Sequence, residues 1–396
     1  MTISLALAAT GLLGLMFVIH FHQIRAAVVQ RDSIAYWAAG TLLIEGQNPY
    51  DSSLVLKQEQ QHGYLEERPL VLRTPPWSLF MVLPLGLNGP FLAWLVWMGI
   101  SFGSLLVAMR LCRRLYGLEG VPRDLFSVVG YTFAPIPACL VSGQMGLVLL
   151  VGIVLFIWWE QERPYLAGAA LILPFAKPHL LSLFWLALLL WVILQKKREV
   201  ALGFVAAWTG TIAVALRVDP HVFQHYRGML HTSSIGTEFI PALSGVIRLL
   251  FFRRFFWMQF VPVTVGLIWG TWYFLQKKSV WNWKEHGPAL LVVSVLVTPY
   301  SWLADESVLL PAMLQAAAFV YHARAGMKVA TKLALVLFAL LNGLLLLILR
   351  FKIPFATGIY FWSSLVWFFW YFYARRVHQR AQKAVLGGKP AIPPTS

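Results

Sequence analysis

Acidic residues are scarce in this chain of 396 residues, which has 16 Asp and Glu against 32 Lys and Arg. Charged residues of both signs make up only 12% of the sequence, whereas hydrophobic residues make up 59%. So few polar side chains cannot cover a soluble globule of this length, and the composition therefore predicts a polytopic membrane protein. Cysteine is rarer still. Cys112 and Cys139 have no metal-like spacing, so they indicate neither a zinc site nor a disulfide framework.

The basic residues do not indicate nucleic-acid binding, although the formal net charge is +16. Lys and Arg occur in short clusters between apolar runs, as they do in the cytoplasmic loops of membrane proteins. We therefore expect membrane lipids as partners and no nucleic acid.

The apolar runs predict an all-α transmembrane helical bundle of about 12 spans. About 20 mostly apolar residues cross a bilayer as a helix, and about 17 are the shortest workable length. The predicted spans are 2–21, 90–111, 124–140, 144–159, 164–176, 179–195, 199–217, 256–275, 288–301, 306–322, 329–349 and 357–374. No convincing cleavage site follows the first run, so we expect it to be a retained span and not a signal peptide.

The distribution of charge predicts an orientation for these spans. Both termini are expected inside, because 19 of the 32 Lys and Arg then face the cytoplasm. Ten of the 16 acids then face outward, so we expect polar chemistry on the outer face. Residues 1–380 are expected to form one membrane domain, and residues 381–396 a disordered cytoplasmic tail. Thr74–Leu87 is too short to span, and we predict that it lies on the outer surface as an amphipathic helix.

Asp32 is the acid whose position is most informative. It follows the first predicted span and starts a short helix that the GQNPY sequence at Gly46–Tyr50 ends. A carboxylate at the edge of a bilayer is costly, which makes it a candidate for chemistry. The alternative is an ordinary helix N-cap, a position that Asp favours.

Two basic residues are candidates for binding a lipid phosphate. Arg73, in the LRTPPW sequence, is expected at headgroup height, where a guanidinium can pair bidentately with phosphate or simply snorkel to a lipid. Lys177, in FAKPHLL, interrupts a long apolar stretch with His179 beside it. A lysine there is costly unless it reaches water or an anion.

Three further polar motifs admit two interpretations each. Gln144, in VSGQMG, offers a donor and an acceptor to a hydroxylated ligand, or it belongs to a plain polar turn. Asp305 and Glu306 are favoured at a helix N-terminus by the helix dipole, and two adjacent carboxylates could instead hold a divalent cation. His221 and His225 have the i, i+4 spacing of a metal-binding pair but lack a HExxH pattern.

Taken together, these segments resemble the GT-C superfamily of integral-membrane glycosyltransferases, and within it family 87, the polyprenyl-phosphate-mannose-dependent α-mannosyltransferases. The resemblance covers most of the chain and depends on the order of the motifs. They are the Asp32 segment with LLIEGQNPY, TPPW at 74–77, SGQMG at 142–146, AKP at 176–178, PALSGVIR at 241–248 and TPYSW at 298–302. Many members of the family have a His-His pair after Ser-Trp, where this chain has Ala304 and Asp305.

The resemblance implies roles for particular residues. Asp32 would be the catalytic general base, and Lys177 and Arg73 would bind the donor phosphate. The residues expected to contact the sugar or the acceptor are Tyr36, Tyr50, Gln144, His179, Trp302 and Asp305. No metal or other cofactor is expected, because polyprenyl phosphate is already a good leaving group.

The function implied is transfer of a hexose, with mannose the family's usual sugar, from a polyprenyl-phosphate donor to a lipid-linked or glycan hydroxyl, with inversion. We expect a multi-pass protein of a bacterial inner membrane with its active site on the periplasmic or extracellular face. A secondary transporter or lipid flippase is an alternative, although transporters place their ionisable groups near the bilayer midplane. A ligase or polymerase that uses an undecaprenyl-pyrophosphate glycan is a second alternative.

Overall fold

The computed structural model describes residues 20–117, 121–233, 240–323, 328–351 and 360–387, without the side chains of 383–387. Within these ranges the chain is helical or irregular and has no strand. The prediction of an all-α fold is therefore confirmed.

The α-helices of the described residues are separated by short 3-10 helices and turns. They are α1 (Phe21–Val28), α2 (Ser33–Ile44), α3 (Ser52–Gln61), α4 (Pro90–Tyr116), α5 (Arg123–Thr132), α6 (Pro135–Ser142), α7 (Gly146–Trp159), α8 (Pro164–Ala170), α9 (Ser182–Leu194), α10 (Arg198–Val218), α11 (Val222–Thr232), α12 (Leu243–Phe251), α13 (Val261–Lys277), α14 (Trp283–Val297), α15 (Leu310–His322), α16 (Val329–Phe351) and α17 (Ser363–Gly387). Most of them are shorter than the roughly 20 residues of a straight span.

Four described helices are long and apolar enough to cross a membrane: α4, α10, α13 with its flanking 3-10 turns (Phe256–Val280), and α16. Two bent pairs could each form one more span. The pair α5 and α6 bends by 50°, and the pair Pro164–Ala176 and Pro178–Leu194 bends by 114°. The described part of the chain thus has four to six candidate spans, and the larger number of 12 stays a prediction. All but the end of the predicted span at 2–21 lies outside the described residues.

Proline accounts for the sharper bend. Pro174 and Pro178 begin two consecutive 3-10 helices, Pro174–Ala176 and Pro178–Leu181. Because proline fixes φ and has no N–H, a helix can begin at proline but is interrupted where proline would lie in its interior. Lys177 lies between these two turns, at the point where the chain changes direction.

The chain divides into two compact units. Unit 1 comprises Met1–Ile100, Val141–Gln144 and Gly210–Ser233, and unit 2 comprises Ser101–Leu140, Met145–Thr209 and Ser234–Ser396. Asp32 and Gln144 therefore belong to unit 1, whereas Lys177 and Asp305 belong to unit 2. The single domain over 1–380 stays a prediction.

The segment Thr74–Leu87 corrects one prediction for unit 1. It forms two 3-10 helices, Pro76–Met81 and Leu83–Leu87, and not one amphipathic α-helix. Its backbone meets α2 closely, because a Cβ atom on Gly86 would lie 2.1 Å from the carbonyl carbon of Gly40. Only glycine permits this approach. The segment is thus part of the packed core of unit 1.

Unit 2 has a core of large aromatic side chains, and the acid Glu306 is buried among them. Phe156 of α7 contacts Trp283 of α14, with ring centroids 5.0 Å apart. Glu306, which is 4% exposed, accepts hydrogen bonds of 2.7 Å from Ser363 Oγ and from Trp367 Nε1. The carboxyl group therefore ties the 3-10 helix Asp305–Leu309 to α17.

The last helix extends beyond the predicted end of the membrane domain. α17 runs to Gly387, so residues 381–387 are helical where the sequence predicts a disordered tail. Residues 388–396 lie outside the described residues.

Candidate active site

Asp32 occupies the N-cap position of α2 but does not cap the helix. Its side chain makes no capping hydrogen bond. Instead, Asp32 Oδ2 accepts a hydrogen bond of 2.6 Å from Gln144 Nε2, a residue 112 positions away in sequence. A capping Asp would accept from a backbone N–H two or three residues further on. The structure therefore disagrees with the N-cap interpretation and brings together two motifs that the sequence singled out.

A tight turn holds Gln144 against the start of α2. Gly143 has a φ of +74°, and a Cβ atom there would lie 2.8 Å from the side chain of Ser33. The carbonyl oxygen of Gly143 accepts a hydrogen bond of 2.7 Å from Trp97 Nε1, and Trp97 is 1% exposed. Because glycine and a buried indole both fix this turn, the amide of Gln144 is positioned before any ligand arrives.

Asp32 is one of three acids whose charges act on Tyr64. The pKa of Tyr64 is raised to about 12, chiefly by burial and then by the charges of Glu59, Glu66 and Asp32 in that order. Glu59 is itself buried, and burial raises the pKa of its carboxyl group to about 7. Its Oε2 accepts a hydrogen bond of 3.2 Å from the N–H of Leu70.

Two tyrosines that were predicted to contact the sugar or the acceptor pack inside unit 1. Tyr36 is 6% exposed, and its ring meets Trp97 edge to face at 5.0 Å. Tyr50 is 2% exposed, and its hydroxyl donates a hydrogen bond of 3.0 Å to the carbonyl oxygen of Thr74. Arg73, beside Thr74, is half-buried. Both tyrosines thus stabilise the unit, and ligand contact by any of the three residues stays a prediction.

An Asp-His pair in unit 1 was not predicted from the sequence. Asp219 Oδ2 lies 2.7 Å from His225 Nδ1, and Asp219 Oδ1 accepts a hydrogen bond from the N–H of His221. The ring of Tyr226 lies 5.3 Å from that of Tyr50, which joins α11 to the segment that ends α2. Within the described ranges no three His, Cys, Asp or Glu side chains could hold a metal ion together.

A buried ion pair dominates the candidate residues of unit 2. Lys177 Nζ lies 2.5 Å from Asp305 Oδ1, and the two side chains are 13% and 1% exposed. Asp305 Oδ2 also accepts a hydrogen bond of 3.0 Å from the N–H of Trp302. The carboxylate offsets the cost of the lysine charge at the bend. Asp305, predicted as a sugar or acceptor contact, is therefore first of all the partner of Lys177.

The TPYSW motif contacts the bend at Lys177 through His179. Thr298 Oγ1 donates a hydrogen bond of 3.0 Å to the carbonyl oxygen of His179, and the ring of Tyr300 meets the ring of His179 at 5.8 Å. Trp302 Nε1 donates to the hydroxyl of Tyr300 at 2.9 Å. The structure thus brings together four residues of unit 2 that were predicted to contact the donor phosphate, the sugar or the acceptor: Lys177, His179, Trp302 and Asp305.

Comparison with protein-family models matched residues 74–348 to the model of glycosyltransferase family 87. This range is more than half of the chain and includes Gln144, Lys177 and Asp305. Neither the curated proteins nor the solved structures gave a match.

Proposed function

The chain belongs to glycosyltransferase family 87 and is therefore a membrane glycosyltransferase, and we propose that Asp32 is its general base. The observation that carries the proposal is the 2.6 Å hydrogen bond from Gln144. It holds the carboxylate through a side chain of a second motif, in place of the capping bond expected at this position. A base must be held within hydrogen-bond reach of the hydroxyl that it deprotonates.

The reaction we propose is transfer of a hexose, with mannose as the first sugar to test, from a polyprenyl-phosphate donor. Asp32 takes the proton from a lipid-linked or glycan hydroxyl as that oxygen attacks the anomeric carbon. The bond from this carbon to the phosphate oxygen breaks, and the polyprenyl phosphate leaves with the electron pair. A single displacement inverts the configuration at the anomeric carbon.

We propose that Lys177 binds the donor phosphate, with Arg73 as a second candidate. Lys177 Nζ donates a hydrogen bond to Asp305 Oδ1, and an ammonium group is a donor only. The paired carboxylate keeps Lys177 charged inside an apolar segment, and a phosphate oxygen is the kind of acceptor that such a lysine binds. This assignment rests on the residue type and on the family, whereas the ion pair explains how the charge is maintained.

The experiment measures transfer of radiolabelled mannose from synthetic polyprenyl-phosphate-mannose to endogenous acceptors in membranes that contain the protein. Asp32→Asn should lower the rate by about 10² to 10⁴, the usual contribution of a general base. The matched control is Glu45→Gln, which changes an exposed acid at the C-terminal end of α2. Loss of less than about tenfold in Asp32→Asn would reject the base assignment. A polyprenyl-phosphate-glucose arm tests the sugar, and arms with EDTA or added Mg²⁺ test metal dependence.

We also propose about 12 spans, both termini inside and an outer-face site in the inner membrane. The four to six candidate spans and the shorter apolar helices Ser33–Ile44 and Gly146–Trp159 support a polytopic arrangement. Cys112 and Cys139 are buried, so an introduced cysteine can be labelled selectively. Glu45→Cys should react with a membrane-impermeant maleimide added to spheroplasts. If this cysteine reacts with the maleimide only after the membrane has been opened, the orientation is the opposite of the one we propose.

A further inference from the structure

A groove of about 620 Å³ lies between α16 and α17 in unit 2. Eleven of its lining side chains are apolar or aromatic, and the twelfth is Arg376. The rings of Phe338 and Trp370 stack at 4.7 Å inside it. An apolar channel with one charged group suits a ligand that is hydrocarbon along most of its length and anionic at one end.

The two helices run antiparallel, so the end of α17 and the start of α16 lie at the same end of the groove. Thr331 Oγ1, at the start of α16, lies 3.1 Å from the Tyr373 hydroxyl of α17, whereas Phe338, later on α16, stacks on Trp370, earlier on α17. Arg376 is about one turn beyond Tyr373, and Lys328 is about one turn before Thr331. Arg376, Lys328 and the N-terminus of α16 therefore meet at the same end, where the helix dipole adds further positive potential.

No acidic side chain nearby in sequence offsets this charge, because residues 307–396 contain no Asp or Glu. Arg375 is already engaged: it donates a hydrogen bond of 3.0 Å to the Tyr273 hydroxyl and lies 3.8 Å from Glu285. Arg376 is exposed and has no ion-pair partner within the described part of the chain. It is thus the member of the Arg-Arg pair that can meet an external anion.

We propose that this groove binds one anionic phospholipid, with an acyl chain over the stacked rings and the phosphate at Arg376. Trp362 and Arg376, which both line the groove, are separated by about 21 Å along a helix. One leaflet of a bilayer provides about 15 Å of hydrocarbon, half of a core of about 30 Å. The groove is long enough for the acyl chain of one leaflet plus its headgroup. This site is additional to the glycosyl-transfer site and does not depend on the proposed function.

The test is lipid binding to the purified full-length protein by native mass spectrometry, after exchange into a mild detergent. Phosphatidylglycerol is the anionic probe and phosphatidylcholine the zwitterionic one. We expect preferential binding of phosphatidylglycerol, and Arg376→Gln should weaken it about tenfold or more, since charge-assisted hydrogen bonds to phosphate are among the strong ones. Arg376→Lys should retain most of the binding. Ala334→Trp, which fills the groove, should lower binding of the lipid whatever its headgroup.

The matched control is Arg380→Gln, about one turn further along α17 and outside the lining. Equal losses in Arg376→Gln and Arg380→Gln would mean diffuse surface attraction and would overturn the proposal. Equal affinity for the two lipids in the wild type would overturn it as well. Thermal unfolding of each variant in the same detergent distinguishes loss of the site from loss of the fold, and Arg376→Lys supplies a second comparison if Arg376→Gln unfolds.

Discussion

Replacing Asp305 by asparagine removes the negative charge that Lys177 Nζ meets at 2.5 Å, at a place where the two side chains are 13% and 1% exposed. Asparagine keeps the shape of the side chain, but its one oxygen cannot take the place of both Oδ1, which accepts from Lys177, and Oδ2, which accepts from the N–H of Trp302. The perturbation is therefore the loss of one charge together with one hydrogen-bond acceptor. A lysine ammonium without its counterion is left in a buried position.

The expected cost is about 3–5 kcal/mol of unfolding free energy, the range found when one partner of a buried ion pair is removed. At 2.5 Å the attraction is about 7 kcal/mol with an effective dielectric constant of about 20, but much of it only offsets the desolvation of both ions. The loss of stability also has an upper limit, because the lysine can become neutral. Deprotonating an ordinary lysine at pH 7 costs about 4–5 kcal/mol, so the variant would bury a neutral lysine if burying the charged one cost more than this.

The assay is a double-mutant cycle with Lys177→Met, which removes the other charge at similar volume. Each single variant should lower the midpoint of thermal unfolding in detergent, because each leaves one uncompensated buried charge. The double variant should recover most of the loss, since neither charge then remains. Additive effects of the two substitutions, with a coupling energy below about 0.5 kcal/mol, would refute the ion pair.

Four further outcomes are expected. Gln144→Leu should slow mannose transfer about 10- to 100-fold, the equivalent of one hydrogen bond to a charged group, and an unchanged rate would remove Gln144 from the site. Glu59→Gln should raise the unfolding midpoint at pH 8 but not at pH 4. The pKa of Glu59, about 7 in the folded protein, exceeds its unfolded value, so stability is lost as pH rises from about 4.5 through 7, by up to about 3 kcal/mol. Gly86→Ala should prevent folding of unit 1, because the added Cβ would overlap Gly40, whereas Gly99→Ala meets no atom within 4 Å and should be tolerated. Glu306→Gln should lower the unfolding midpoint by the equivalent of about 1–3 kcal/mol, because the amide nitrogen that replaces one carboxyl oxygen cannot accept, so Ser363 and Trp367 no longer both have an acceptor.

Apolar runs predict where helices occur in this chain and where they break, but not how sharply they bend. The predicted spans 164–176 and 179–195 break where the structure has a bend of 114° between Pro164–Ala176 and Pro178–Leu194. Proline spacing signals a break there, yet the angle depends on tertiary contacts such as Thr298 with His179. Thr74–Leu87 is a similar case. Its apolar pattern predicts one helix, whereas the structure has two 3-10 helices with proline in the first turn of each. The close approach of Gly86 to Gly40 is a contact that the pattern does not show.

The candidate residues were easier to predict than their partners. Asp32, Gln144, Lys177 and Asp305 each stand out in sequence, because a polar group in an apolar chain has few ordinary uses. Their pairing could not be derived, since 112 residues separate the first two and 128 the second two. The Asp219–His225 pair was missed for a different reason. The spacing of His221 and His225 suggested a metal-binding pair. In the structure His225 instead contacts Asp219, the residue that follows α10.

Asp32 and Lys177 are of opposite charge, and we propose different roles for them. Asp32 is one of three acids whose charges raise the pKa of Tyr64. The charge of Lys177 is stabilised in an apolar bend by the carboxylate of Asp305. Phosphate is another anion with which an ammonium group pairs. Transfer from a phosphate-activated sugar needs a proton acceptor on the attacking oxygen and a cation for the leaving phosphate. The roles we propose therefore assign Asp32 to the attacking hydroxyl and Lys177 to the leaving phosphate.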